Sequence, residues 1–131
     1  MIPEKTAIAT IGKDAYATQL ETTSHTLTAD EPVADGGKDL GPQPTDFLRM
    51  SLASCTAITL RMYADRKGMN VEKIKVTIST ETIDNKTVFH RSVEVTGAID
   101  DEQRKRLLHV ANSCPVHKIL TNPIEVQTQL S

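Results

Sequence analysis

Leu48, Leu52, Cys55, Ile58, Thr59 and Met62 recur at three- and four-residue spacing, the period of one face of an α-helix. Thr45 follows Pro44 as a natural N-cap, Asp46 suits the first turn, and neither Gly nor Pro interrupts the chain until Gly68. The pattern therefore predicts a helix from Thr45 to about Lys67 with Cys55 on its main apolar stripe. At 1.5 Å per residue, about 22 residues span roughly 33 Å, the width of a small domain, so this helix is expected to run through the middle.

The rest of the chain alternates at shorter period. Ile74, Val76 and Ile78 interleave with Lys73, Lys75, Thr77 and Ser79, a strand with one wet face, and Val88 to Thr96 reads as its hairpin partner across a turn at Asp84-Asn85-Lys86. Upstream, Thr6 to Ile11, Tyr16 to Thr22 and His25 to Thr28 are short β-prone stretches. Asp30 to Pro44, with Pro32, Gly36, Gly37, Gly41, Pro42 and Pro44, reads as a loop long enough to be functional or mobile. Asp100, with Gln103 as capping-box partner, opens a second helix that turns Leu107, Leu108 and Ala111 inward and ends near Asn112. Pro115 opens a third, short helix with Cys114 at its N-cap. Ile124, Val126, Thr128 and Leu130 alternate with Glu125, Gln127 and Gln129, predicting a last strand.

Composition narrows the setting. The chain has 131 residues, expected to form a single domain over 1–131, with 38% hydrophobic and only 3% aromatic residues and no Trp. Its core must rest on Ile, Leu, Val, Met and Ala, and so thin a core favours oligomerisation. A net charge of −2 with scattered basic residues argues against a nucleic-acid partner. The N-terminus lacks a signal-peptide layout, and no apolar run is long enough for a bilayer, so no membrane partner and a cytoplasmic location are expected.

In a reducing compartment the two cysteines, Cys55 and Cys114, are poor candidates for a permanent crosslink, and a redox or catalytic role gains weight beside simple core packing. Local sequence makes Cys114 the more acidic thiol. It sits at a helix N-terminus, and His117, three residues on, offers a positive charge or a proton acceptor. His109, Cys114 and His117 match no standard zinc spacing, Ser51 and Ser54 lack the glycine frame of a hydrolase nucleophile, and Asp100 and Asp101 are helix-capping residues first.

The segments "GPQPTDFLRMSLASCTAITLRMYADRKG" and "VTGAIDDEQRKRLLHVANSCPVHKIL", with the order of elements around them, resemble the family of osmotically inducible protein C and organic hydroperoxide resistance proteins (OsmC/Ohr). The resemblance covers nearly the whole chain. It implies an α+β, OsmC-like fold with antiparallel sheets, a long central helix carrying Cys55, and an intertwined homodimer with active sites at the subunit interface. It further implies a thiol peroxidase without cofactor, haem or metal. In that scheme Cys55 is the peroxidatic cysteine attacking an organic hydroperoxide, and Cys114 resolves its sulfenic acid as a disulfide. A dithiol, such as a lipoyl group on another protein, then reduces the disulfide.

The best-characterised peroxidases of that family stabilise the thiolate with an arginine from the N-terminal sheet region and a glutamate just before the first helix. No Arg precedes Arg49 here, which leaves Lys5, Lys13, Lys38 or the region of His117 as the expected source of positive charge. Thr45 or Asp46 takes the glutamate's place, with Asp46 and His117 as candidate supporting residues. A weakly activated Cys55 is expected, unless the N-terminal dipole of the short third helix serves both sulfurs at once. The competing reading keeps the dimer but makes the chain a non-catalytic small-ligand-binding or redox-sensing protein.

Overall fold

The computed structural model describes residues 2–131 and divides into two compact units, the first extending to Leu48 and the second covering Arg49–Ser131. In the first, strands β1 (Ile8–Thr10), β2 (Thr18–Glu21) and β3 (Thr26–Ala29) form an antiparallel sheet in the order β1-β2-β3. Ala9 lies opposite Leu20, and Leu20 opposite Leu27, so each strand continues the register of the last.

The Pro- and Gly-rich segment after β3 is ordered, with a 3₁₀ turn at Val33–Asp35. Its organiser is Asp30, only 2% exposed. Its carboxylate accepts from the backbone N–H groups of Tyr16 (3.2 Å), Glu31 (2.7 Å), Lys38 (3.3 Å) and Leu40 (3.1 Å). The chain coils so closely around it that a Cβ on Gly37 would lie 2.0 Å from the Glu31 carbonyl oxygen, which accounts for glycine there. Burial alone would raise the Asp30 pKa, but the four N–H donors outweigh it and hold the carboxyl below its ordinary value. A lowered folded-state value means the loop's stabilisation is complete above the unfolded pKa, about 4, and is lost as pH falls through the folded one. Hydrogen exchange at the amides of Tyr16, Glu31, Lys38 and Leu40 should therefore stay slow at pH 5 and accelerate only well below pH 4. Asp30→Asn should accelerate it at every pH, and unchanged protection in that variant would show that the carboxylate does not organise the loop.

Helix α1 (Pro44–Arg66) starts one residue earlier than the sequence pattern predicts, because proline fits the first helical position, where its missing N–H costs nothing. Asp46 accepts from the Gln43 N–H at 3.2 Å and secures that end. Gly68, at φ +66°, supplies the left-handed residue that ends the helix. Strands β4 (Asn70–Ile83) and β5 (Lys86–Ala98) form a long antiparallel hairpin. Its two-residue turn has positive φ at both Asp84 (50°) and Asn85 (62°), the conformation that matches strand twist and that Asp and Asn tolerate.

Helix α2 (Asp101–Val110) carries the expected capping box, Asp100 and Gln103 each accepting the other's backbone N–H. A 3₁₀ turn at Ala111–Ser113 leads into helix α3 (Pro115–Leu120). The core of the second unit is Leu60, Ala64, Val71, Leu107, Val110 and Ala111, with Tyr63, Ile74, Val93 and Val95 packed against it. It is aliphatic, as the composition requires.

Three expectations need correction. Leu107 and Ala111 are buried as expected, but Leu108 is 66% exposed, because it lies about 100° round α2 from Leu107. The buried positions of α1 are Leu52, Thr56, Leu60 and Ala64, whereas Leu48, Ile58 and Met62 are exposed, by 51%, 54% and 64%. The predicted single stripe is thus two faces. One packs within this chain at i, i+4 spacing, its small residues admitting close neighbours, and Cys55 lies half-buried at its flank rather than on a central line. The predicted last strand is not formed: residues 123–131 carry no regular structure, and Val126 and Leu130 are 83% and 99% exposed. Alternation makes a strand only where a neighbouring strand pairs with it, and no strand of the described residues does so. Among the described residues, no helix is long and apolar enough to cross a membrane.

Candidate functional site

Helix α1 and the start of α3 bring the two cysteines together. Both are free cysteines, close enough that each acts on the ionisation of the other. Cys114 is 0% exposed, while Cys55 is half-buried. The local geometry follows from the sequence: Pro115 occupies the first position of α3, which puts Cys114 at the N-cap and turns the next two backbone N–H groups toward it. Cys114 closes no tight side-chain cap of the kind an oxygen makes. The N–H groups of His117 and Val116 nevertheless act on its sulfur and favour the thiolate.

The two sulfurs are not equivalent. Burial alone would raise the pKa of Cys114, but the S–H of Cys55, the N–H groups of His117 and Val116 and the Thr56 hydroxyl outweigh it, so the Cys114 thiol is lowered. Cys55 is raised, first by burial and then by the neighbouring Cys114. The N–H of Val116 and the hydroxyl of Thr59 offset this only in part. Val116 thus faces both sulfurs, so the first turn of α3 acts on the pair as a whole. Cys114 is thus the thiol of the pair that ionises more readily and Cys55 the one that holds its proton longer, and the two titrate as a unit.

The positive charge beside this pair is one that the sequence reading missed. Arg91, half-buried on β5, donates from Nη1 to Thr56 Oγ1 (3.2 Å) and the Ala111 carbonyl (3.3 Å), and from Nη2 to Asn112 Oδ1 (2.9 Å) and His117 Nδ1 (3.3 Å). A guanidinium can only donate, so His117 Nδ1 accepts and the ring proton sits on Nε2. His117 therefore supplies an acceptor and a backbone N–H here, and Arg91 supplies the charge. A trace of this was legible: Phe89, Arg91, Val93 and Val95 share one face of β5 by period-2 alternation, and an arginine among inward-facing residues marks a polar site beneath.

The remaining candidates have other partners. Asp46 caps α1 through Gln43. Arg49 donates to Thr80 Oγ1 at 2.8 Å and Arg61 to the Val71 carbonyl at 2.9 Å, neither bond involving a cysteine. Lys5, Lys13 and Lys38 belong to the first unit. Among the described residues, no group of three or more His, Cys, Asp or Glu side chains converges to hold a metal ion; His109 lines a separate surface depression with Met69 and Glu102. A cavity of about 340 Å³ opens beside Arg91 and His117, walled by Leu52, Val88, Phe89 and Leu120 and with Lys86 on its rim.

Comparison with known proteins matches residues 36–129 to the family model described as OsmC-like protein. No curated protein sequence matches. Among solved structures, an OsmC-like protein from Mycoplasma pneumoniae superposes with a TM-score of 0.76 at 19% identity, covering 92% of this chain and 89% of that one. An organic hydroperoxide resistance protein from Elizabethkingia anophelis, with thiocyanate bound, gives 0.68 at 18% identity over 91% and 89%. An organic hydroperoxide resistance protein OsmC from Legionella pneumophila gives 0.64 at 20% identity over 88% of each chain. At these identities the similarity establishes a shared fold of helices and antiparallel sheets.

Proposed function

This chain belongs to the OsmC-like protein family, and from that premise we propose that it is a thiol peroxidase that reduces organic hydroperoxides with Cys55 and Cys114. The observation that carries this reading is the pair of neighbouring free thiols, of which only Cys55 is accessible. Cys114, the more readily ionised thiol, first loses its proton to solvent and as thiolate takes the proton of the neighbouring Cys55, leaving a Cys55 thiolate. That thiolate attacks the distal oxygen of the hydroperoxide. The O–O bond breaks, Cys55 becomes a sulfenic acid, and the alkoxide takes the Cys114 proton to leave as the alcohol, which returns Cys114 to the thiolate. Cys114, as thiolate, then attacks the Cys55 sulfur and expels hydroxide, which leaves as water after protonation, forming the disulfide. A dithiol, such as a lipoyl group on a partner protein, returns two electrons by thiol–disulfide exchange.

Structural neighbours named as organic hydroperoxide resistance proteins support the substrate class. The apolar-walled cavity beside Arg91 and His117 suits an organic rather than a purely polar peroxide. The same cavity is what favours the second reading, a non-catalytic ligand-binding or redox-sensing protein. Consumption of cumene hydroperoxide in the presence of a dithiol separates the two: steady turnover is expected, and no consumption above the protein-free rate leaves the binding reading.

The working unit we propose is a homodimer located in the cytoplasm. Its support is the exposed apolar face of α1, with Ile58 54% and Met62 64% exposed, a surface that a second copy would cover. Analytical ultracentrifugation should give a dimer at micromolar concentration, and a stable monomer would remove this part of the reading.

A further inference from the structure

We propose that Arg91 is the positioning residue of the thiol pair: it ties the Cys114 segment to α1 and supplies a fixed positive charge that favours ionisation of the pair. Its four bonds run to three elements: Thr56 on α1, Ala111 and Asn112 in the 3₁₀ turn, and His117 on α3. Every one of these acceptors is neutral. Among the described residues no carboxylate pairs with Arg91, so a half-buried guanidinium carries a charge that nothing in its own shell cancels. A charge in that position is costly without a compensating anion, and the nearest group able to become one is the thiol pair.

Thr56 connects the two, since its Oγ1 accepts from Arg91 at 3.2 Å and its hydroxyl is one of the groups that lower the Cys114 thiol. The hydroxyl donates to the Leu52 carbonyl at 2.7 Å, a Cys114 thiolate would be a second acceptor for that proton, and the guanidinium on its lone pair polarises it toward either. The other titratable or charged groups around the pair are few: the two thiols act on each other, His117 lies on α3, and Lys86 lines the neighbouring cavity from the start of β5. Of these, Arg91 is the permanent charge closest to Thr56. The assignment rests on the reading of Cys55 and Cys114 as a reactive pair, but it concerns how readily that pair ionises and not what it reduces.

The test follows the pH dependence of the first thiolate, by ultraviolet absorbance and by alkylation rate, in the unmodified chain and in Arg91→Gln, Arg91→Lys and Thr56→Val, with folding checked by circular dichroism. An opposite charge within about 4–6 Å of a thiol shifts its pKa by roughly one to three units. Acting through one hydroxyl, Arg91 should be worth about one unit, so Arg91→Gln leaves about tenfold less thiolate at neutral pH. Arg91→Lys keeps the charge and should recover most of the difference. Thr56→Val keeps Arg91 but cuts the link, and should shift the midpoint upward even if Arg91→Gln does not fold. A folded Arg91→Gln or Thr56→Val chain with the unmodified midpoint overturns the assignment, as does an Arg91→Lys chain that behaves like Arg91→Gln. No peroxide enters this titration. A shifted midpoint in a chain that consumes no hydroperoxide upholds Arg91 and defeats the peroxidase reading; an unshifted midpoint in an active chain does the reverse.

Discussion

Cys55→Ser should reduce dithiol-dependent hydroperoxide consumption to the protein-free rate while leaving the fold intact. Serine is nearly isosteric, and Cys55 is half-buried at the flank of α1, outside the residues that form the core. What is lost is the nucleophile, since an alkyl hydroxyl near neutral pH has no thiolate to offer. Cys114→Ser should behave differently. The first peroxide molecule is still reduced, because Cys55 and the N–H of Val116 remain, but the sulfenic acid has no partner. With excess peroxide it should proceed to the sulfinic and sulfonic acids, read as successive gains of oxygen in the intact mass. A burst of one equivalent followed by inactivation is the expected time course. Full activity in Cys55→Ser would remove this cysteine from the chemistry, and full, lasting activity in Cys114→Ser would remove the resolving step.

The largest expected effect on stability lies elsewhere in the same unit. Leu60 is 0% exposed and belongs to the cluster that joins α1 to the hairpin and α2. Leu60→Ala leaves a cavity that the long hairpin and helices cannot close, and large-to-small changes at such sites cost about 2–5 kcal/mol. Ile58→Ala, on the exposed face of the same helix at 54% exposure, should cost the isolated chain well under 1 kcal/mol. Urea unfolding of the two variants under monomeric conditions checks the contrast, and equal losses would mean that the two faces of α1 have been distinguished wrongly.

What was legible in the sequence is what local chemistry decides. Gly68 ends α1, Asp100 and Gln103 cap α2, and Pro115 places Cys114 at the start of α3, each through groups within a few residues of one another. The β4–β5 hairpin followed from alternation and an Asp-Asn turn. What was not legible depends on partners distant in sequence. The loop after β3 is ordered by a carboxylate that reaches Tyr16 and Leu40 as well as its own neighbour, a convergence that no spacing reveals. The alternation from Ile124 to Leu130 promised a strand, yet a strand exists only through its ladder, and these residues have none among the described residues.

The candidate site divides the same way. The acidity of Cys114 was readable from its N-cap position, and the turn of α3 does act on both sulfurs through Val116. The sequence points for positive charge to Lys5, Lys13, Lys38 or the region of His117, and the Arg91 that reaches that region comes from β5, 26 positions before the His117 that it touches. Only the fold brings β5 and α3 together. An inward-facing arginine in a strand of Phe and Val was the one hint, and it names a polar environment without naming its occupant.

The central claim, that Cys55 and Cys114 form a reactive pair which peroxide converts into a disulfide, has a direct test in a single turnover. The reduced chain is treated with one equivalent of cumene hydroperoxide, quenched with an alkylating agent, and examined by intact mass and peptide mapping. The account predicts loss of two hydrogens, no alkylation at either cysteine, and one intramolecular Cys55–Cys114 crosslinked peptide. A folded chain that retains both cysteines as alkylatable thiols after treatment would contradict it, and would leave Cys55 as a packing residue on the flank of α1.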